Sequence, residues 1–302
     1  MSPIRLSVAI CTHNRSVALA SCLAALGGPD ADTEIIVIDS GSTSAEADSI
    51  ATIARGHGAQ HIRLAASGVS AARNAALAAA SGNWIAYLDD DAIPAPDWRV
   101  VLHNAIARDP SLAATGGSIL PRFRTSGLPA WWPPSLRGVL TIIDAGTTSN
   151  EPYAANIAFD RKILAAFGGF PTCLGRRGDC LLSNEETYII RRFRRAGLTV
   201  RLTPDLVVHH EIASNRLKPD WLLRRQYWSG MSEAMMLRAL GERCLPKALR
   251  MAIHVVLLAP MLLWPDASTH RIGNRCAAAF ARGFVRGAMI ENALTETIGG
   301  VP

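Results

Sequence analysis

The sequence predicts an α/β protein: a central, mostly parallel sheet flanked by helices, followed by a largely helical C-terminal extension. Two observations carry this prediction. Short apolar runs alternate with helical stretches through the first hundred residues, the pattern of successive βαβ units. From about Trp221 onward, strand signals give way to helical spacing.

Leu6 to Cys11 is a short apolar strand, and Val17 to Leu26 has helical spacing that stops at Gly27-Gly28. Glu34 to Ile38 is β-branched and reads as a buried strand, followed by a loop at Gly41-Ser42-Thr43. Ala45 to Ala54 is helical, with Gly56 and Gly58 after it, and His61 to Leu64 is a short strand. Ser70 to Ala80 is alanine-rich, favouring helix, and Gly82 closes it. Trp84 to Leu88 is a strand running into Asp89-Asp90-Asp91. Beyond residue 110 proline, glycine and tryptophan become frequent, with Trp131-Trp132-Pro133-Pro134 in a loop. A basic helix is expected from Ser183 through Arg195, then a strand at Thr199 to Leu202.

The chain has 302 residues and a net charge of +6, with the basic residues gathered after position 175. A positive balance favours anionic partners, but charge alone does not choose among nucleotides, phospholipids and nucleic acid. The six cysteines form no C-x-x-C pair and no zinc spacing, which suits a reducing compartment. A strand begins almost at once, so no targeting segment is expected ahead of the fold. The longest apolar run, Met251 to Trp264, is shorter than the ~20 residues of a spanning helix.

Ligands of a parallel sheet bind beyond the carboxyl ends of its strands. Three predicted strand ends carry polar residues there: Thr12-His13-Asn14-Arg15, Asp39-Ser40-Gly41-Ser42 and Asp89-Asp90-Asp91. Three adjacent carboxylates repel one another, and a divalent cation such as Mn²⁺ or Mg²⁺ relieves that repulsion through oxygen ligands. If the strand continues through the triplet, alternation places Asp89 and Asp91 on one side and Asp90 on the other. Asp91 is then the first choice for the metal, with Asp89 beside it or facing a ribose. Asp39 suits a base N–H or a ribose hydroxyl, and equally a turn. Arg73 follows Gly68 and Ser70 at a helix N-terminus, a place that binds anions. Glu185 and Glu186 open the basic helix, as a Ser183 capping box or as a general base; only one of them can face a given ligand. His209 and His210 point opposite ways on a strand, so one at most serves a metal site. The Arg191–Arg195 stretch reads as a solvated face with Phe193 inward, and no nucleic-acid partner is expected.

These pieces together resemble the family 2 glycosyltransferases. The matching segments are V-A-I-C-T-H-N-R (8–15), E-I-I-V-I-D-S-G-S (34–42), G-V-S-A-A-R-N (68–74) and G-N-W-I-A-Y-L-D-D-D-A-I-P-A-P-D-W (82–98). N-I-A-F-D-R-K (156–162), F-G-G-F (167–170), S-N-E-E (183–186), R-R-A-G (194–197) and P-D-L-V-V-H-H (204–210) follow in order. The resemblance implies a GT-A fold with a Rossmann-like sheet and inverting transfer from a nucleoside-diphosphate sugar to a glycan or lipid-linked acceptor. It implies that Thr12, Arg15 and Asp39 line a nucleoside pocket and that Arg73 lies near base or phosphates. Asp89 and Asp91 match the D-x-D pair, His210 a metal-side histidine, and Glu186 or Glu185 the catalytic base. The Q-x-x-R-W signature of processive synthases is absent, which favours single-sugar addition.

The expected organisation is a catalytic domain over 1–220, with a nucleotide-sugar half (1–105) and an acceptor half (106–220), followed by helices over 221–302. Trp131 and Trp132 are candidates for the acceptor entrance. Ala248 to Gly287 mixes apolar positions with five arginines. It reads either as an interfacial surface at the inner, cytoplasmic face of a membrane or as a cap packed on the domain. A sugar-1-phosphate nucleotidyltransferase and an inactive nucleotide-sugar-binding module are the rival readings; the first lacks its glycine-rich loop after Leu6 to Cys11.

Overall fold

The computed structural model describes residues 3–124, 127–144, 151–262 and 269–290, without the side chains of 254–262, 269 and 270. The end of the apolar run at Met251 to Trp264 and the last residues of the expected C-terminal region lie outside the described residues. The chain divides into two compact units. The first takes residues 1–122, 141–170 and 189–211; the second takes 123–140, 171–188 and 212–302.

The first unit is built on β1 (Leu6–Thr12), α1 (Ser16–Leu26), β2 (Thr33–Ser40), α2 (Ser44–Gly56), β3 (Gln60–Leu64), α3 (Val69–Ala79) and β4 (Trp84–Asp89). These elements follow the expected ones to within a few residues. β5 (Ala92–Pro94), α4 (Trp98–Arg108), β6 (Leu112–Phe123), β7 (Asn156–Asp160), α5 (Arg161–Ala166), α6 (Glu185–Arg195) and β8 (Thr199–Ile212) continue the chain. The sheet order is β3-β2-β1-β4-β7-β6-β8-β5. β1 to β4 pair in parallel, whereas β4 with β7, β6 with β7 and β5 with β8 pair antiparallel. The sheet is therefore mixed, its parallel part lying in the segment where βαβ alternation was legible.

β8 runs ten residues past the expected Leu202 end. Pro204 and Asp205 break the local pattern, yet Leu206, Val208, His210 and Ile212 are buried in strict alternation. That period of two is the signature of a strand with one face in the core. α6 begins at Glu185 rather than Ser183; the Asn184 carbonyl accepts from the Tyr188 N–H, and Asn184 takes a left-handed φ of 72°.

The core joins Val8, Ile10, Leu19, Leu23, Ile35, Val37 and Leu88 with the buried Trp98 and Leu102 of α4. On the other side Tyr87, Phe159, Phe170 and Phe193 meet edge to face, with ring centroids 5.2 to 6.2 Å apart. Phe193 points inward as expected, and Arg192 lies over the Phe167 ring at 5.0 Å while donating to its carbonyl.

The second unit contains the 3₁₀ segments Pro134–Leu140 and Ser214–Leu217, then α7 (Pro219–Ala239), α8 (Leu245–Leu262) and α9 (Thr269–Met289). Glycine brings α7 and α9 into close contact: a Cβ on Gly230 would sit 1.9 Å from the Phe280 carbonyl oxygen, and one on Gly283 would sit 1.8 Å from that of Tyr227. Among the described residues, no helix is long and apolar enough to cross a membrane.

Candidate active site

Parallel register places the strand ends together. Thr12 on β1 is level with Asp39 on β2, and Cys11 is level with Asp89 on β4. The loops beyond these ends are laced to one another. Asn14, with φ 53°, donates its N–H to Ser42 Oγ and accepts from the Thr43 N–H; the Gly68 N–H ahead of α3 donates to Ser40 Oγ at 2.9 Å.

The three aspartates do not follow strand alternation, because β4 stops at Asp89 and the next two residues form a turn. Asp90 and Asp91 are both buried and share one partner. Arg15 donates from Nη1 to Asp90 Oδ1 and from Nη2 to Asp91 Oδ2, each at 2.7 Å. Thr12 Oγ1 donates to the other Asp90 oxygen at 2.8 Å. Burial opposes the charge on Arg15, but the carboxylates of Asp90 and Asp91 outweigh it, so the guanidinium pKa is raised. Burial pushes the Asp90 carboxyl up, with Arg15 opposing that shift. Thr12 and Arg15, expected at the nucleoside, are thus bonded to the acidic turn.

Asp89 is the half-buried member of the triplet and faces α3, with its Oδ1 3.5 Å from Arg73 Nη2. Arg73 is no surface arginine: it is 4 % exposed, and its Cζ lies 5.6 Å over the Phe170 ring. Asn74 fixes that ring, donating from Nδ2 to the Phe170 carbonyl and accepting from the Phe170 N–H, both at 2.8 Å. Tyr87 adds a hydroxyl bond to the Arg73 carbonyl at 3.0 Å. Asp39 is fully buried; its Oδ1 accepts from the Ser42 N–H at 3.0 Å, and its Oδ2 lies 3.6 Å from Arg63 Nε. Arg63 was not singled out in the sequence, although the β2–β3 register sets it directly beside Asp39.

His210 reaches the acidic turn through β-pairing. β5 pairs with β8 so that Ala92 lies opposite His210, and the Glu211 N–H donates to the Asp91 carbonyl at 3.0 Å. The imidazole Nε2 stands 3.3 Å from Asp91 Oδ1, while its buried Nδ1 has no hydrogen-bond partner among the described residues. His209 points away from the buried side.

This pair suits a divalent cation. Two donors at right angles, each ~2.1 Å from a Mg²⁺-sized ion, stand about 3 Å apart. Among the described residues, no three His, Cys, Asp or Glu side chains form a metal cage.

Glu185 and Glu186 belong to the second unit, in the first turn of α6, and Glu185 is buried. α7 grips the segment before them. Arg224 donates to the Asp179 carbonyl, Arg225 to the Leu181 carbonyl and Ser183 Oγ, Ser232 Oγ accepts from the Ser183 N–H at 2.9 Å, and Glu233 accepts from Asn184. Burial pulls the Arg225 guanidinium down to about 10, helped by Arg176 and opposed by the Glu185 and Glu186 carboxylates. Those carboxylates therefore sit within the field of Arg225, a residue the sequence reading passed over. Trp131 and Trp132 also belong to this unit, with centroids 5.5 Å apart. Trp132 is buried, which leaves Trp131 with the accessible surface.

The family model for glycosyl transferase family 2 matches residues 7–178. The chain is 28 % identical over 175 residues to the glucosyl-dolichyl phosphate glucuronosyltransferase of Haloferax volcanii, covering 56 % of each chain. It is 27 % identical over 183 residues to the succinoglycan biosynthesis protein ExoM of Rhizobium meliloti, covering 57 % of this chain and 53 % of that one. The chain thus spans about half the length of the curated relatives it matches. Among solved structures, the mannosyltransferase PcManGT from Pyrobaculum calidifontis, in complex with GDP-Man and Mn²⁺, superposes with a TM-score of 0.62 at 21 % identity, covering 97 % of this chain and 89 % of that one. GalNAc-T7 with UDP, GalNAc and Mn²⁺ gives a TM-score of 0.52 at 16 % identity, covering 80 % of this chain and 51 % of that one. These likenesses show the GT-A fold, and the family match over more than half of the chain shows that it belongs to glycosyl transferase family 2.

Proposed function

We propose that this chain transfers a sugar from a nucleoside-diphosphate sugar to a hydroxyl acceptor, with inversion at the anomeric carbon. The observation that carries the reading is the pairing of Asp91 Oδ1 with His210 Nε2 at the edge where the β1, β2 and β4 ends converge. A divalent cation, Mn²⁺ or Mg²⁺, held by Asp91 and His210 and flanked by Asp89, would neutralise the charge that grows on the departing diphosphate. Arg73 adds a fixed cation on the same edge, pre-set by Phe170 and Asn74, so little reorganisation is needed as that charge develops. Arg15 and Thr12 hold the acidic turn in place, and Asp39 with Arg63 offers an acceptor and a donor for the nucleoside.

Glu186 is the proposed base, with Glu185 as the alternative; the assignment rests on their place in the motif order. The acceptor O–H gives its proton to the carboxylate, the oxygen bonds to the anomeric carbon, and the bond to the diphosphate oxygen breaks on the opposite face. The names of the two curated relatives point to acceptors in glycolipid or polysaccharide assembly, and Trp131 is a candidate platform for one. The six free cysteines suit a cytoplasmic setting.

The test is release of nucleoside diphosphate from a panel of nucleotide sugars by purified protein with Mn²⁺. Asp91→Ala should abolish it, and turnover equal to wild type in that variant would overturn the metal assignment. Glu186→Gln should bind donor normally and lose transfer; full transfer would move the base to Glu185.

A further inference from the structure

The second unit exposes apolar side chains on a helix that also packs the core. Leu245, Leu249 and Ile253 of α8 are 72, 65 and 52 % exposed. They are four residues apart, so they line one face of the helix. Cys244 and Ala248 on the other side are buried with Ala234, Leu237 and Phe284. α8 is therefore apolar on both faces, one of them covered by α7 and α9. The other large exposed apolar side chains of the described residues, Val17, Val100 and Met289, lie singly on α1, α4 and α9.

The surroundings of this stripe are mostly basic. From Arg243 to Arg286 the sequence holds seven Lys and Arg residues and a single acid, Asp266, with the exposed Glu242 just ahead of them. Arg243 and Arg250, beside the stripe, are exposed, while Lys247 is turned toward Glu233 and the Phe284 ring. An apolar stripe flanked by arginines matches the chemistry of an anionic lipid surface: aliphatic side chains enter the acyl boundary and guanidinium groups meet phosphate.

We propose that α8 docks this protein on the surface of an anionic bilayer through Leu245, Leu249 and Ile253, with Arg243 and Arg250 on the headgroup phosphates. The docking surface stands independently of the transfer reaction. It would hold the protein where lipid-linked acceptors reside.

The test is co-sedimentation of the full chain with vesicles of phosphatidylcholine alone or with about 30 mol % phosphatidylglycerol. Binding to the anionic vesicles should be at least ~10-fold tighter and should fall in about 0.5 M NaCl, where the screening length is only a few ångströms. The variant Leu245→Ser/Leu249→Ser/Ile253→Ser should lose at least ~10-fold in affinity. Its thermal unfolding should be unchanged, since these side chains are exposed. Arg243→Gln/Arg250→Gln should lower binding to anionic vesicles by about 10-fold and leave binding to neutral ones unaltered. The proposal is overturned if wild type ignores anionic vesicles, if the serine variant binds them equally, or if light scattering shows a dimer that the serine variant dissolves. In that last case a second copy of the chain covers the stripe. Soluble-substrate turnover, measured without vesicles, reports on the transferase reading separately.

Discussion

Nε2 of His210 lies 3.3 Å from Oδ1 of Asp91, and the two residues come from segments 119 positions apart that meet only because β5 pairs with β8. Both side chains are almost wholly buried, so loss of Asp91 would strip the imidazole Nε2 of this contact, while Asp91 would keep its bond from Arg15. Asp91→Asn keeps the shape and removes the charge. We expect Mn²⁺ binding in the presence of nucleoside diphosphate, read by electron paramagnetic resonance, to weaken at least ~100-fold, and His210→Gln to weaken it by about 10-fold. Unaltered Mn²⁺ affinity in both variants would remove this pair from the metal site.

Arg73 is buried, lies over the Phe170 ring and pairs with Asp89 at 3.5 Å. Lysine cannot reproduce a flat guanidinium over Phe170. Arg73→Lys should raise the Kd for nucleoside diphosphate in calorimetry by roughly 10-fold and destabilise the fold by about 1 kcal/mol. An unchanged Kd would place Arg73 outside the donor site.

Ser232 tests whether α7 positions the acidic start of α6. Its hydroxyl is fully buried, accepts from the Ser183 N–H and donates to the Trp228 carbonyl. Ser232→Ala leaves that N–H without its acceptor. The expected result is a kcat lowered by about 10-fold with donor KM within about twofold of wild type, the split of a residue that acts through another. Equal losses in both would point to a general disturbance of folding.

The parallel half of the sheet was legible because β1, β2 and β4 each hold an apolar run that leads into a polar end, and the short β3 follows a helix stop. Asp39, Arg73, Asp91 and His210 could be singled out for the same reason: charged or imidazole groups next to apolar runs are conspicuous. The mixed half was harder. β8 hides its length behind Pro204 and Asp205, and only the alternation of Leu206, Val208, His210 and Ile212 reveals it. Strand logic also misjudged the acidic triplet, since no pattern within Asp89-Asp90-Asp91 says where the strand ends. Partners such as Arg63, Phe170 and Arg225 are set by register and tertiary packing, which a linear reading does not contain.

Glu34 offers a pH test away from the reaction. Partial burial raises its pKa, but hydrogen bonds from Ser7 Oγ and the N–H groups of Ser81 and Gly82 outweigh this and hold it below the usual range. A depressed folded pKa means the contribution is present above the unfolded value of about 4.3 and is lost as pH falls through the folded one. Because the carboxylate is only partly buried, the effect is modest. Glu34→Gln should cost about 1 kcal/mol in urea unfolding at pH 7, and the gap to wild type should close below about pH 4. A gap that stays constant with pH would show that charge plays no part.

Gly283 and Gly230 test the helix contact in the second unit. Each added methyl would fall well inside van der Waals contact with a backbone oxygen, which cannot turn aside as a flexible side chain does. Gly283→Ala should destabilise by about 2–3 kcal/mol, seen as a lower urea midpoint. The same change at Gly273, where nothing lies within 4 Å of the new atom, should be neutral or slightly stabilising.

The two hydrogen bonds between Asn74 and Phe170 span 96 residues. They impose an order of events on a chain that emerges from the ribosome one residue at a time. The β1 to β4 segment can pair while synthesis continues, but the ring that seats Arg73 does not exist until residue 170 has been made. The arginine's corner is therefore finished after the parallel strands, and a nascent chain stopped before residue 170 should carry the β1 to β4 pairing with a guanidinium that lacks its ring.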